Sequence, residues 1–162
     1  MDKKFSEVFD KFCNDIYRLA YSYTQNKEDS EDIVQFVFLK YLDNMDKIST
    51  DDVAIKKWLI VVTINKSKDF YKSSWKKHVT NYDSQKELDL ASISDKEFID
   101  LHNTLASLPK KYRMVFHLYY FMGYNTNEIS KLISVKESSV RQLLSRGRKL
   151  IKKRMEGYDV EF

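Results

Sequence analysis

Apolar residues recur every three or four positions along most of this chain, which is the spacing of amphipathic α-helices. The pattern predicts a first helix over residues 3–24 and a second helix from about Lys27 to Met45. Carboxylates crowd the start of the second helix, where they complement the positive end of the helix dipole. They are Glu28, Asp29, Glu31 and Asp32.

A third helix is predicted from about Val53 to Lys77. Residues 58–64, WLIVVTI, are apolar all round, which predicts burial on every side. The β-branched residues of this stretch would also suit a strand. A helix is favoured because the flanking sequences continue the helical period without a turn signal. The second half of this helix becomes basic and aromatic, with Lys66, Lys68, Phe70, Tyr71, Lys72, Trp75, Lys76 and Lys77.

The next residues, 79–94, are polar and aperiodic, as expected of a flexible linker. Apolar spacing then predicts one helix ending near Leu108 and another between Pro109 and Gly123, residues suited to a helix start and a helix end. Residues 125–154 hold two amphipathic helices joined by a tight connection at Ser134 to Lys136, and the second helix is strongly basic. Such a pair is typical of a DNA-binding helix-turn-helix.

Together these elements predict an all-α fold: two small helical domains joined by a flexible linker, the C-terminal one a helix-turn-helix. The expected domains are residues 1–78 and 95–156, with the linker at 79–94 and a loose tail at 157–162. Three glycines and one proline leave few special turn residues, which disfavours a many-stranded β fold.

Charge is distributed unevenly, although the net charge of +4 says little alone. Acidic residues concentrate in 28–52, and basic residues in 66–77 and at the C-terminal helix, which predicts separate protein and nucleic-acid contacts. The single cysteine, Cys13, fits a core position in a cytosolic protein. Because the N-terminus lacks a signal-peptide pattern and the apolar run 58–64 is too short to span a bilayer, we expect a cytoplasmic protein without membrane insertion.

The sequence lacks the patterns that accompany catalysis. His78, His102 and His117 are isolated and have no partners at zinc-ligand spacing. Neither a phosphate-binding glycine loop nor a serine nucleophile elbow occurs. We therefore expect no enzymatic activity, metal, cofactor or small-molecule substrate.

Four local patterns in a fixed order resemble one family, the small bacterial sigma factors of the extracytoplasmic-function (ECF) group. They are residues 28–39 (EDSEDIVQFVFL), 58–72 (WLIVVTINKSKDFYK), 105–123 (LASLPKKYRMVFHLYYFMG) and the helix-turn-helix at 125–154. No single pattern is specific, but the four in order cover nearly the whole chain. The resemblance implies a non-enzymatic protein that binds RNA polymerase core, directs it to promoter DNA and helps to open the duplex.

The resemblance places the polymerase-docking motif, an acidic helix with D-x-x-Q, on Asp32 and Gln35, with Phe38 and Leu39 as apolar neighbours. For a helix without this family resemblance, the alternative to a docking surface is an acidic face that only contacts solvent. Phe36 replaces the family's usual glutamate, and it is expected to be either part of a broader buried face or an exposed apolar anchor.

The second pattern resembles the family's reader of the minus-ten element, where strand separation begins. Unpaired bases need stacking surfaces and the backbone needs cations; the candidates are Asn65, Lys66, Lys68, Tyr71, Lys72 and Lys76. Trp58, Val62 and Asp69 are expected to be structural, while Trp75 could serve DNA or packing. Ile60 and Val61 stand where the family often has an aromatic and a basic residue.

The resemblance implies that the helix-turn-helix reads the minus-thirty-five element. Base contacts are assigned to the start of its second helix, and phosphate contacts further along. The base-reading set is Ser138, Ser139, Arg141, Gln142 and Ser145, and the phosphate-binding set is Arg146, Arg148 and Lys149.

This segment also departs from the family pattern. Leu143 replaces an arginine and Ser134 a turn glycine, and Lys136 replaces a capping serine, so Ser134 or Ser138 is expected to provide the cap. Gly147 inside the helix should cost about 1 kcal/mol relative to alanine.

The leading hypothesis from sequence is a promoter-specificity subunit of RNA polymerase, for which the family also implies an inhibitory anti-sigma partner. The alternative is a stand-alone helix-turn-helix regulator with an N-terminal sensing or dimerisation domain. An interaction module or decoy that binds no DNA is the third reading. The acidic docking helix joined to the basic helix favours the first hypothesis, because a stand-alone regulator needs neither.

Overall fold

The computed structural model describes residues 3–80 and 102–156, and the expected linker at 79–94 lies almost entirely outside these ranges. The chain divides into two compact units, Met1–Ser92 and Ile93–Phe162. Within the described ranges the regular structure is helical, with no strand, which confirms the all-α prediction. None of the described helices combines the length and the apolar character that a bilayer crossing requires.

Three long helices make up the described part of the first unit: α1 (Lys3–Thr24), α2 (Lys27–Asn44) and α3 (Asp52–Thr80). Each packs against the other two, and their shared core includes Ile16, Leu19, Ile33, Val37, Leu59 and Ile64. Cys13 is only half-buried at the side of this core, and burial raises the pKa of its thiol. The ambiguous stretch at 58–64 is therefore helical, and α3 continues three residues past the predicted end at Lys77.

Buried hydroxyls in α3 are satisfied inside the helix. Thr63 Oγ1 donates to the Leu59 carbonyl at 2.6 Å, and Ser67 Oγ donates to the Thr63 carbonyl at 2.7 Å. Both side chains are fully enclosed, so an unpaired hydroxyl there would carry a desolvation cost. This bonding lets two polar residues sit in the core directly beside the basic end of α3.

A cap at Asn26 fixes where α2 begins. Gln25 takes a left-handed backbone conformation with φ of 51°, which turns the chain sharply after α1. The Asn26 side chain then accepts a hydrogen bond from the Asp29 backbone N–H at 2.9 Å. Because the turn and the cap set the start of α2, they also set which α2 residues face outward.

In the second unit, residues 102–105 are helical and precede α4 (Lys110–Phe116). As expected, a helix begins directly after Pro109 and the chain turns at Gly123, whose φ is +80°. Between them α4 widens into a π-helical turn at His117–Phe121, which the sequence pattern does not predict. Helices α5 (Thr126–Ile133) and α6 (Glu137–Met155) form the predicted helix-turn-helix.

Gly147 allows α6 to lie close against α4. It is buried, and a Cβ at this position would fall 2.3 Å from Cε2 of the Phe116 ring. Such a separation is far below van der Waals contact. The glycine is therefore a packing requirement, which its helix propensity does not reveal because propensity ignores the neighbouring element.

His102 should make the second unit sensitive to acid. Burial, aided by the Arg113 charge, lowers the pKa of His102 from 6.5 to about 4. The folded state thus resists protonation more than the unfolded state, so stability is complete above pH 6.5 and is lost as the pH falls towards 4. We expect a loss on the order of 3 kcal/mol across this window.

This prediction is checked by measuring the unfolding free energy against pH for the wild type and His102→Gln. Glutamine has no charge to gain, so the variant should show a flatter profile between pH 6.5 and pH 4. Parallel profiles for the two proteins would assign the acid sensitivity to other groups.

Candidate protein-docking and nucleic-acid interfaces

Three of the four predicted docking residues share an outward face of α2. Asp32, Gln35 and Leu39 are all exposed, Leu39 to 55%. Their spacing of three and four residues places them on one stripe of the helix. A carboxylate, an amide and an apolar side chain in one row suit a partner with basic and apolar groups.

Phe38 lies on the opposite, buried side of α2. Its exposure is 2%, and its ring packs edge-on against Phe9 with the centroids 4.9 Å apart. The Phe38 side chain is therefore not available for a direct contact with the polymerase, because the helical period that exposes Leu39 points Phe38 towards the core. We reassign Phe38 to holding α2 against α1.

Phe36 is partly exposed, at 38%, and lies close to α3. The ammonium of Lys66 stands 4.1 Å from the centroid of the Phe36 ring, within the range of a cation–π interaction. The docking helix and the basic helix thus meet at this pair.

The candidate minus-ten surface begins where α3 leaves the core. Asn65 is exposed, and Lys66 and Lys68 are half-exposed on either side of the buried Ser67. Tyr71, Lys72 and Lys76 also lie on α3, but their side chains fall outside the described part of the structure, as does that of Trp75.

The residues expected to be structural beside this surface differ in how deeply they are buried. Trp58 is half-buried and meets the ring of Tyr41 edge-on at 6.0 Å. Ile60 is fully buried, whereas Val61 and Val62 are half-exposed and Asp69 is exposed. Ile60 therefore packs in the core. This position, where the family often has an aromatic residue, is not available for a contact with DNA in this chain.

A capping box opens the helix-turn-helix. Asn125 accepts from the Glu128 backbone N–H at 2.8 Å, and the Glu128 carboxylate accepts from the Asn125 N–H at 3.1 Å. At the other end of α5, Ser134 adopts the left-handed conformation, with φ of 57° and ψ of 47°. It occupies the backbone geometry that glycine adopts most readily.

Helix α6 starts without a side-chain cap from its N-cap residue, Lys136. Glu137, in the first turn, instead links α6 back to α5 by accepting from Thr126 Oγ1 at 2.8 Å. The hydrogen bonds from Thr126 and Asn127, followed by the Arg141 charge, lower the pKa of Glu137. This connection holds the start of α6 against the start of α5.

Arg141, the expected reader of guanine, is exposed and paired with Glu137, one helical turn earlier. The distance from its Nη1 to Glu137 Oε1 is 3.1 Å. An exposed ion pair of this kind contributes little to stability. Its effect is to orient the guanidinium beside the N-terminal turn of α6.

The remaining predicted residues divide into one central face and two flanks. The helical period groups Arg141 with four further residues on the central face, while Arg146 and Arg148 lie on opposite flanks. The other central residues, all exposed, are Ser138, Gln142, Ser145 and Lys149. Ser139 and Leu143 are half-buried beside this face, so Ser139 is less available to DNA than predicted.

Arg148 has an internal role that the sequence did not indicate. Its Nε donates to the Tyr120 hydroxyl at 2.6 Å, and its guanidinium lies 5.8 Å from the ring centroid of Tyr119 and 5.7 Å from that of Tyr120. These contacts tie α6 to the π-helical turn. The only signal for this role was the tyrosine pair before Gly123, and pattern alone could not connect it to a residue 28 positions later.

A groove of about 540 Å³ runs beside this junction. It is lined by apolar and basic side chains, among them Leu105, Phe116, Tyr120, Ile151 and Met155. Met155 is 81% exposed and Tyr120 is 49% exposed, so apolar surface is available there. Among the described residues, no group of three or more histidine, cysteine, aspartate or glutamate side chains is arranged to hold a metal ion.

Both units match regions of one protein family. Residues 8–77 match Sigma-70 region 2, and residues 98–151 match Sigma-70, region 4. The candidate docking helix and minus-ten surface fall inside the first match. The helix-turn-helix, including the central face of α6, falls inside the second.

Relatives and solved structures agree with this result. The RNA polymerase sigma factor SigV of Bacillus subtilis is 28% identical over 85% of this chain and 82% of its own length. The ECF RNA polymerase sigma factor SigM of the same organism is 28% identical over 90% of this chain and 91% of its own.

Among solved structures, the sigma factor RpoE from Bartonella quintana, in complex with the anti-sigma factor NepR, matches with a TM-score of 0.70 and 18% identity over 98% of this chain and 100% of RpoE. CnrH in complex with the cytosolic domain of CnrY matches with a TM-score of 0.65 and 17% identity over 96% of this chain and 89% of CnrH. With both Sigma-70 regions present in order and ECF proteins among its relatives, the chain belongs to the sigma-70 family and is a sigma factor of the ECF type.

Proposed function

We propose that this chain binds RNA polymerase core in the cytoplasm, directs it to particular promoters and helps to open the promoter DNA. The observation that carries the proposal is the occurrence of both Sigma-70 regions, in order, in one chain. The role is one of binding and needs no catalytic group.

Docking on the polymerase is assigned to the outward face of α2. Asp32 and Gln35 offer hydrogen-bond acceptors, and Leu39 adds an apolar contact at their side. Interfaces of this type usually depend on a few buried contacts within a polar rim. Leu39, whose side chain is already 55% exposed, is the natural apolar contact.

Reading of the minus-thirty-five element is assigned to the central face of α6. Arg141 and Gln142 have the side chains that make paired hydrogen bonds to guanine and adenine, respectively. Arg146 lies on the flank of the helix, where it is available to a phosphate. Arg148 serves DNA less directly, because it is already bonded to Tyr120.

Reading and holding of the unpaired minus-ten strand is assigned to α3, from Asn65 onwards. At the end of the buried part of the helix, Asn65 and Lys68 are three residues apart and share one side, while Lys66 lies about 100° around the helix from Asn65, beside Phe36. The proposed linker at 79–94 would let the two units bind separate promoter elements, so binding of one raises the effective concentration of the other.

We also propose an inhibitory partner for the free protein. The sigma factor RpoE, which is similar in fold, forms a complex with the anti-sigma factor NepR, and CnrH, also similar in fold, forms a complex with the cytosolic domain of CnrY. A protein of this kind would compete with polymerase for the same sigma factor. Co-purification of the tagged chain from its own host under non-inducing conditions would identify such a partner.

The function is tested by transcription with purified core polymerase on a library of host promoter fragments. The chain should produce transcripts from a small set of promoters that core alone does not use. Equal transcription with and without the chain would overturn the proposal. Specific protection of DNA by the chain without polymerase, combined with no transcription, would instead support the stand-alone regulator.

Substitutions on α6 should separate base reading from phosphate binding. Arg141→Ala should relax the sequence preference at one or two positions of the upstream element and weaken binding there by about 1–3 kcal/mol. Lys149→Ala, a matched change on the same exposed face, should weaken binding evenly across sequences and reduce the salt dependence. Binding to a randomised minus-thirty-five library by the polymerase complex measures both effects, and identical sequence profiles for the two variants would defeat the assignment.

A further inference from the structure

Phe36 lies where two lysines from different helices approach one ring. The ammonium of Lys66, on α3, is 4.1 Å from the ring centroid, and that of Lys40, one turn along α2, is 5.9 Å away. Both distances are within the range of cation–π interactions, and the Lys66 distance is short. The ring therefore connects the polymerase-facing helix to the first lysine of the candidate minus-ten surface.

The choice of a ring at this position has an electrostatic consequence. A carboxylate here would pair with Lys66 and cancel its charge. The face of a phenyl ring attracts a cation through its quadrupole but has no net charge, so the ammonium is held and stays fully available to an anion. The half-buried position of Lys66 limits the freedom of its aliphatic stem as well.

We propose that Phe36 is a positioning residue that holds the Lys66 ammonium for a phosphate of the unpaired promoter strand. A free lysine loses rotamer entropy when it is fixed. Ordering Lys66 on the ring before DNA arrives removes part of that cost. The inference rests on the proposed role of α3 in strand binding, and it adds a residue on the docking helix to that site.

The proposal is tested with the chain bound to core polymerase and a fluorescent fork-junction DNA whose minus-ten segment is single-stranded. Phe36→Leu keeps an apolar group but removes the ring face, and it should weaken binding by about two- to fivefold. Phe36→Glu should weaken it more, because it neutralises Lys66. Phe36→Tyr keeps the ring face and should bind like the wild type.

A double-mutant cycle shows whether the effect passes through Lys66. In a Lys66→Ala background, Phe36→Leu should cause no further loss of DNA affinity, because the group that Phe36 positions is gone. An equal loss in both backgrounds would overturn the proposal. The proposal would also be overturned if Phe36→Leu weakened binding to core polymerase but, at saturating polymerase, left the affinity for the fork DNA equal to that of the wild type.

A measurement on the free chain is independent of transcription. The ε-methylene protons of Lys66 should resonate upfield, because the ammonium group to which they are attached lies 4.1 Å from the Phe36 ring centroid; Phe36→Leu should remove this shift and Phe36→Tyr should retain it. Lys66 resonances that are unchanged in Phe36→Leu would overturn the contact. If the wild-type complex fails to bind the fork DNA, both the proposed function and this role of Phe36 fail. If the wild type binds the fork DNA and the Phe36→Leu and Phe36→Glu variants bind it as tightly as the wild type does, only the role of Phe36 fails.

Discussion

Gly147→Ala should destabilise the second unit by about 1–3 kcal/mol, although alanine is the better helix former. The added methyl would lie 2.3 Å from Cε2 and 2.7 Å from Cζ of Phe116. Phe116 is 2% exposed, so turning its ring away from the methyl would disturb other packed side chains. Relief requires either this shift of the ring or a movement of α6 away from α4, and such a movement would also disturb the Arg148 contacts with Tyr120.

The measurement is amide hydrogen exchange of the full-length chain, which reports each unit separately. Protection should fall across α4 and α6 and stay unchanged in α1 to α3. Ser145→Ala is the matched control, since that residue is exposed on the same helix and gains only helix propensity. Phe116→Leu combined with Gly147→Ala should recover part of the loss, because the smaller side chain makes room for the methyl. Protection in Gly147→Ala equal to or above that of the wild type would contradict the packing argument.

Asp32→Ala combined with Leu39→Ala should weaken binding to RNA polymerase core by roughly 10- to 100-fold. The pair removes one carboxylate and one exposed apolar group from the proposed docking face. Both side chains are exposed in the free chain, so folding should be little affected. Promoter-dependent transcription at limiting polymerase should fall in parallel, while at saturating polymerase it should recover.

Titration of labelled chain with core polymerase gives the affinity directly. Glu7→Ala is the control: it removes the same charge from an exposed position on α1, outside the stripe of Asp32, Gln35 and Leu39 on α2. Phe38→Leu provides a second comparison, since a buried residue should affect stability more than affinity. Equal affinity of the double variant and the wild type would remove docking from this face of α2.

Much of the fold could be predicted because the helices obey their period and their end signals. The polar break before α2, Pro109 and Gly123 each marked a boundary that the structure has. The family resemblance, and not the helical spacing, placed Phe38 beside the docking motif. Its packing against Phe9 on α1 shows instead that it belongs to the buried side of α2.

The remaining features depend on pairs of residues that are distant in sequence. The requirement for Gly147 comes from Phe116, and the restraint on Arg148 comes from Tyr120. Neither partner can be read from helix propensity or charge, which describe one segment at a time. The sequence predicted the candidate DNA surfaces as sets of side chains. The structure shows in addition which of their cationic side chains already contact other residues of the protein.

The pairing of Glu137 with Arg141 has a consequence for how the protein searches DNA. On an arbitrary sequence the carboxylate can keep its partner, so the tip of α6 presents little net charge, and non-specific binding rests on the cations further along the helix. At a matching site Arg141 must exchange Glu137 for acceptors on a base, while Glu137 retains the Thr126 hydroxyl. The same residue pair would then account for weak binding to random DNA during sliding and for the increase in affinity at a matching site. Glu137→Gln should therefore raise affinity for random DNA more than for the promoter.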